Sequence, residues 1–186
     1  DDGSSFEMSA GRIWAQHIGI SENATLSCAG RGYDLDTVVA SREEWVGVFD
    51  LIGSSGGSPG GIGGSSRNIV SLNSSGGYGS VFEPETWGAP GGGLSGAVNG
   101  TAPTNSAGGG ALFVSASDSL VLNGTIDCGG LSPAASLQGG GAGGSVQLRV
   151  KSLVGTGQVL AKGGSGGAVS TDLFGRGGGG GGGRVA

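Results

Sequence analysis

Forty-seven of the 186 residues are glycine, and they are clustered: 177–183 is an unbroken run of seven. This constrains the chain more than any other feature. Ordering a glycine costs about 0.5–1 kcal/mol more than ordering an alanine, so fixing them all costs on the order of tens of kcal/mol. A fold that accepts this needs main chain where side chains would not fit. Collagen is excluded, because glycine does not recur at every third position and there are only 5 prolines. A plain disordered linker is disfavoured, since 35% of residues are apolar and fall in short alternating runs. No apolar stretch approaches the ~18 residues of a membrane-spanning helix, so no membrane insertion is expected.

The alternation has period two. Val146, Leu148 and Val150 fall on one face and Gln147, Arg149 and Lys151 on the other. Leu112, Val114 and Ala116 alternate with Phe113, Ser115 and Ser117 in the same way. These are strands with one buried face. They recur in units of common grammar over 11–30, 109–130 and 144–164, each a glycine, a strand, a polar turn, a second short strand and more glycine. Gly183-Arg184-Val185-Ala186 reads as a restart of the Gly11-Arg12-Ile13-Trp14-Ala15 pattern. A lone unit cannot bury its apolar face, whereas stacked units pair like strands in parallel and bury a continuous column. The sequence therefore predicts an all-β fold, a parallel β-solenoid with Gly-rich loops and one Gly-poor insert, as a single domain over 1–186.

Segment 31–108 interrupts the pattern as an insertion. Its glycine-rich parts, 53–66 and 78–93, are expected to let extended backbones approach one another closely. Residues 36–52 are the Gly-poor insert. They read either as an amphipathic helix capped by Asp36, with Val39, Trp45 and Phe49 buried, or as a hairpin. Trp45 and Phe49 are also candidates for a subunit contact.

Net charge is −5, which argues against a nucleic-acid partner. Residues 1–93 hold 11 acids and 4 bases, and 94–186 hold 3 acids and 5 bases. The split is that of a solvated surface or of a subunit that stacks head to tail. Cys28 and Cys128 occupy the same place in two units, Asn-Ala-Thr-Leu-Ser-Cys and Asn-Gly-Thr-Ile-Asp-Cys. Direct stacking of those units would bring their Cα atoms to about 5 Å, within disulfide reach, which suits an oxidising compartment. Four of the six asparagines, Asn23, Asn73, Asn99 and Asn123, stand in Asn-x-Ser/Thr acceptor sites. N-linked glycans and an extracellular location are expected, for a mature product or an excised segment.

Little suggests catalysis. His17 is the only histidine, so any Ser-His-Asp set would have to use it. Glycine-rich motif matches carry no weight in this composition, and no Gly run continues into a phosphate-binding Gly-Lys-Ser/Thr. The Asp of the calcium-binding nonapeptide is absent from the Gly runs. Asp34, Asp36, Glu43, Glu44, Glu83 and Glu85 could supply a carboxylate pair, but nothing in the sequence positions them together.

Five stretches carry a resemblance: GGALFVSA (109–116), LVLNGTIDCGG (120–130), GGGAGGSVQLRV (139–150), LVGTGQVLAKGG (153–164) and GGGGGGGRVA (177–186). With 56–64 and 78–93 upstream, they resemble a glycine-rich extracellular module of plant and algal cell-surface proteins, similar to repeat regions of algal flagellar-hair (mastigoneme) glycoproteins. Insert 36–52 falls outside the likeness, and cysteine stands where the module usually has alanine. The resemblance implies a structural, non-enzymatic β-solenoid without cofactor. The expected function is a structural segment of an extracellular glycoprotein filament, partnered by itself or sister subunits head to tail. The rivals are a carbohydrate-binding adhesin using Trp14, Trp87 and Tyr78, and a β-helix polysaccharide lyase or hydrolase.

Overall fold

The computed structural model describes residues 4–33, 60–61, 63–64, 79–92, 106–134, 138–168 and 177–186. Insert 36–52 with Trp45 and Phe49, together with Asp34, Asn73, Tyr78 and Asn99, lies outside the described residues. The described residues form eight strands and no helix: β1 Ser5–Glu7, β2 Ala10–Ile20, β3 Thr25–Ser27, β4 Ala111–Leu122, β5 Thr125–Asp127, β6 Ser145–Val154, β7 Gln158–Leu160 and β8 Arg184–Val185.

Strands of two sheets alternate along the chain. The long sheet has the order β2-β4-β6-β8, three strands of 10 to 12 residues closed by the two-residue β8, and the short sheet has the order β1-β3-β5-β7, each strand of 3 residues, with every pairing parallel. Parallel register stacks like on like. Ile13 lies beside Val114 and Val114 beside Leu148, while Leu26, Ile126 and Val159 align in the short sheet. Leu112, Val114, Leu120, Ile126 and Val146 are fully or almost fully buried between the sheets. The pairing register shifts between Ala15 and His17 of β2 and between Ala116 and Ser119 of β4, and Leu120 lies on the core face beyond the irregularity. Gly155, at φ 122°, makes the turn out of β6, a conformation a Cβ would oppose.

The expected parallel β-solenoid with Gly-rich loops is corrected by this arrangement. The strands form two separate four-stranded parallel sheets, and the glycine runs are not loops around them. The runs form a third body built from extended segments that are not strands. Segment 138–144 shows why no sheet results. The Gly139 N–H donates to the Gly92 carbonyl, Gly140 to Gly178, Gly141 to Leu131, Ala142 to Ala89 and Gly143 to Gly181. Gly109 and Gly164 in turn donate to its Ala142 and Gly141 carbonyls. One segment thus bonds to 88–92, 106–110, 128–131, 161–167 and 177–183, whereas a strand has at most two ladder neighbours. Bonding in several directions needs backbones close on every side. A methyl on Gly109 would land on the Cys128 carbonyl oxygen and the Gly144 nitrogen.

The restart at residue 183 also needs adjustment. Arg184 pairs with Ser145, Ser145 with Ala111, and Ala111 with Ala10. Arg184 therefore occupies the position of Ala10, two residues away from the alignment with Arg12. Both registers put the same face inward, so composition alone does not separate them.

Candidate assembly surfaces

Cys28 and Cys128 are fully buried and lie at disulfide distance, with Cα atoms 4.6 Å apart. They sit where the short sheet meets the glycine body. The Cys28 carbonyl accepts from Gly110 and the Cys128 carbonyl from Gly144. Asn23 and Asn123 are both exposed, just before paired strands β3 and β5. The Asn123 Oδ1 accepts the Thr156 N–H at 3.3 Å.

Both ends of the sheet pair are open among the described residues. At the first end, β1 and β2 border a cavity of about 660 Å³ lined by Phe6, Met8, Ile13, Ile18 and Leu26. Phe6 is 62% exposed there. At the other end, β8 pairs only with Ser145 and Val146, and the Leu148 N–H adds one bond to the Ala186 carbonyl. Beyond that point β6 carries no further described strand, and its Leu153 and Val154 are 53% and 50% exposed. The described residues of the last strands, 138–168 and 177–186, contain Arg149, Lys151, Lys162 and Arg184 and no acid.

The outer face of the long sheet is crossed by segment 79–88, which runs along the stacking axis. Arg184 donates to the Ser80 carbonyl, Arg149 bonds Glu83 at 2.9 Å, and Arg12 bonds Glu85 at 3.1 Å. Ser145 adds a hydroxyl bond to the Thr86 carbonyl. Arginines from β2, β6 and β8 thereby fasten one strap. Arg12 and Arg149 also lie over the Phe113 ring, 5.7 and 5.4 Å from its centroid, and Trp14 packs 6.2 Å from it. Under the strap is a pocket of about 180 Å³ lined by Ala10, Arg12, Glu85, Trp87, Ala111 and Phe113.

The candidate carboxylate pair is not assembled here. Glu83 and Glu85 are each engaged by an arginine, and Asp34, Asp36, Glu43 and Glu44 lie outside the described residues. His17 does meet a serine and an aspartate, at 3.0 Å from Ser119 Oγ and 3.4 Å from Asp118 Oδ2. Both contacts use Nδ1, so hydroxyl and carboxylate compete for one nitrogen, where a relay needs one on each side of the ring. Among the described residues no group of three or more His, Cys, Asp or Glu could hold a metal ion.

Of the aromatic residues read as a sugar platform, Trp87 lines the pocket, Trp14 lies outside it, and Tyr78 is outside the described residues. Phe113 and the Arg12–Glu85 pair were missed. The outward set of β4 was visible in the alternation, but the strap that encloses Phe113 had no sequence signal. No protein-family model, curated protein or solved structure matches the chain.

Proposed function

We propose that the chain is a structural, non-enzymatic segment of an extracellular glycoprotein filament that extends by end-to-end strand pairing. One observation carries this reading: every pairing in both sheets is parallel, and the β1/β2 edge is unpaired among the described residues beside an apolar cavity. Natural sheets protect such edges with charge, proline or a covering element, because an open edge is a template for another chain. Strand polarity is the same at both ends, so a copy translated along the axis presents β1 toward β7 and β2 toward β8 without inversion. Such a contact is heterologous and does not close, which yields a fibre. The base-only last strands suit a chain whose first half carries the acid excess. Exposed Asn23 and Asn123, the cysteine pair and the likeness to extracellular glycine-rich modules support the cell-surface setting.

Sedimentation and negative-stain electron microscopy over a concentration series test the reading. Oligomers that lengthen with concentration, and that Leu153→Lys on the open β6 edge shortens, are expected. Wild-type chain that stays monomeric at every concentration would overturn it.

A further inference from the structure

We infer that the pocket beneath the strap is a binding site for a single neutral pyranose ring, a function separate from filament extension. Its floor is Ala10 and Ala111, small outward residues of neighbouring strands β2 and β4. Its aromatic wall is Trp87 from the strap, since the Phe113 ring below is already covered by Arg12 and Arg149. An aromatic face suits the C–H face of a sugar, which is apolar while its edges are polar. At the mouth, the Arg12 guanidinium and the Glu85 carboxylate lie 3.1 Å apart. Beyond their own bond they offer further guanidinium donors and a second carboxylate oxygen, the complement of adjacent hydroxyl groups, each of which both donates and accepts.

Charge and size narrow the ligand class. The paired charges cancel, so the pocket has no net attraction for a phosphate, sulfate or ammonium ligand. Its volume of about 180 Å³ is below the roughly 300–1,000 Å³ of pockets that hold drug-sized ligands. One ring fits, such as a free hexose or the terminal residue of a glycan. The site is shaped before the ligand arrives, because Phe113 is held under Arg12 and Arg149, and Glu83 anchors the strap next to it. Pre-organisation of this kind lowers the ordering cost of binding.

Saturation-transfer NMR tests the assignment on full-length protein, native and after enzymatic deglycosylation. The probes are glucose, galactose, mannose and N-acetylglucosamine, with sulfate as the anionic control. Deglycosylated protein isolates the pocket from the chain's own glycans; stronger binding after deglycosylation identifies those glycans as occupants of the same site. At least one pyranose is expected to bind, at millimolar affinity or better. Glu85→Gln is expected to weaken that binding about tenfold, since it removes a charged acceptor and keeps its shape. Ala10→Leu, which fills the floor from an exposed position, is expected to abolish it. Unchanged circular dichroism and melting temperature establish that both variants fold. Binding of no pyranose in either state, preference for sulfate, or pyranose binding that both folded variants retain would each overturn the assignment.

Discussion

The molecule solves the same problem in two ways, one on each side of its buried cysteines. Between the sheets, Leu112, Leu120, Ile126 and Val146 fill the interior with side chains, and main-chain groups are satisfied along parallel ladders. In the glycine body the interior is main chain itself, and amides such as those of Gly139, Gly141 and Gly143 reach carbonyls on different neighbouring segments. The sheets gain stability by removing apolar area from water, about 25 cal/mol per Å². The glycine body has almost no such area. It is stabilised by satisfied hydrogen bonds and close contact, and it bears the conformational entropy of glycine. The contrast teaches that a tolerated substitution in one region is a disruptive one in the other.

The junction offers the largest perturbation. Cys28 and Cys128 are separated by 100 residues, and closing so long a loop is worth up to ~4.7 kcal/mol. Replacing both with serine is expected to lower the stability measured by denaturant unfolding by roughly 2–5 kcal/mol, with both regions weakened together. Next comes a matched pair. Leu120→Ala empties the side-chain core and is expected to cost about 3 kcal/mol. Gly109→Ala adds one methyl against the Cys128 carbonyl and is expected to cost a similar amount, about 3 kcal/mol, because backbone on all sides leaves no side chain to yield. If Gly109→Ala instead leaves the unfolding midpoint unchanged, the glycine body is not packed as described.

Smaller effects sharpen the contrast. Gly19 lies in β2, exposed, with open space around a would-be Cβ. Gly19→Ala is expected to raise stability by about 0.4–1 kcal/mol, measured as a higher midpoint, by restricting the unfolded chain. Glu83→Gln breaks one exposed bond of the strap and is expected to shift stability by about 0.5 kcal/mol or less. A larger loss there would assign the strap a share of the fold that the two cores do not have.

How much of this the sequence discloses follows from which groups carry a pattern. Leu112, Val114 and Ala116 against Val146, Leu148 and Val150 announce paired strands, and register confirms Leu112 beside Val146. The common spacing of Cys28 and Cys128 from Leu26 and Ile126 marks their shared position. Glycine has no side chain and therefore no period, so runs such as 138–144 and 177–183 could be read as loops when they are interior. For the same reason the sequence favours a solenoid where two sheets and a glycine body are found. The pocket was hidden differently. Arg12 and Glu85 are 73 residues apart, and only the strap's path along the stacking axis brings them together. The two-residue displacement at Arg184 escaped because alternation repeats every second residue.

The central claim is that the glycine segments form a hydrogen-bonded interior, and native-state amide hydrogen exchange measures it directly. The amides of Gly109, Gly140, Gly143, Gly164 and Gly180 each donate to a backbone carbonyl. They are expected to exchange as slowly as those of β4, through the same cooperative opening. Exchange of these glycine amides at unprotected rates, while β4 stays protected, would contradict the account.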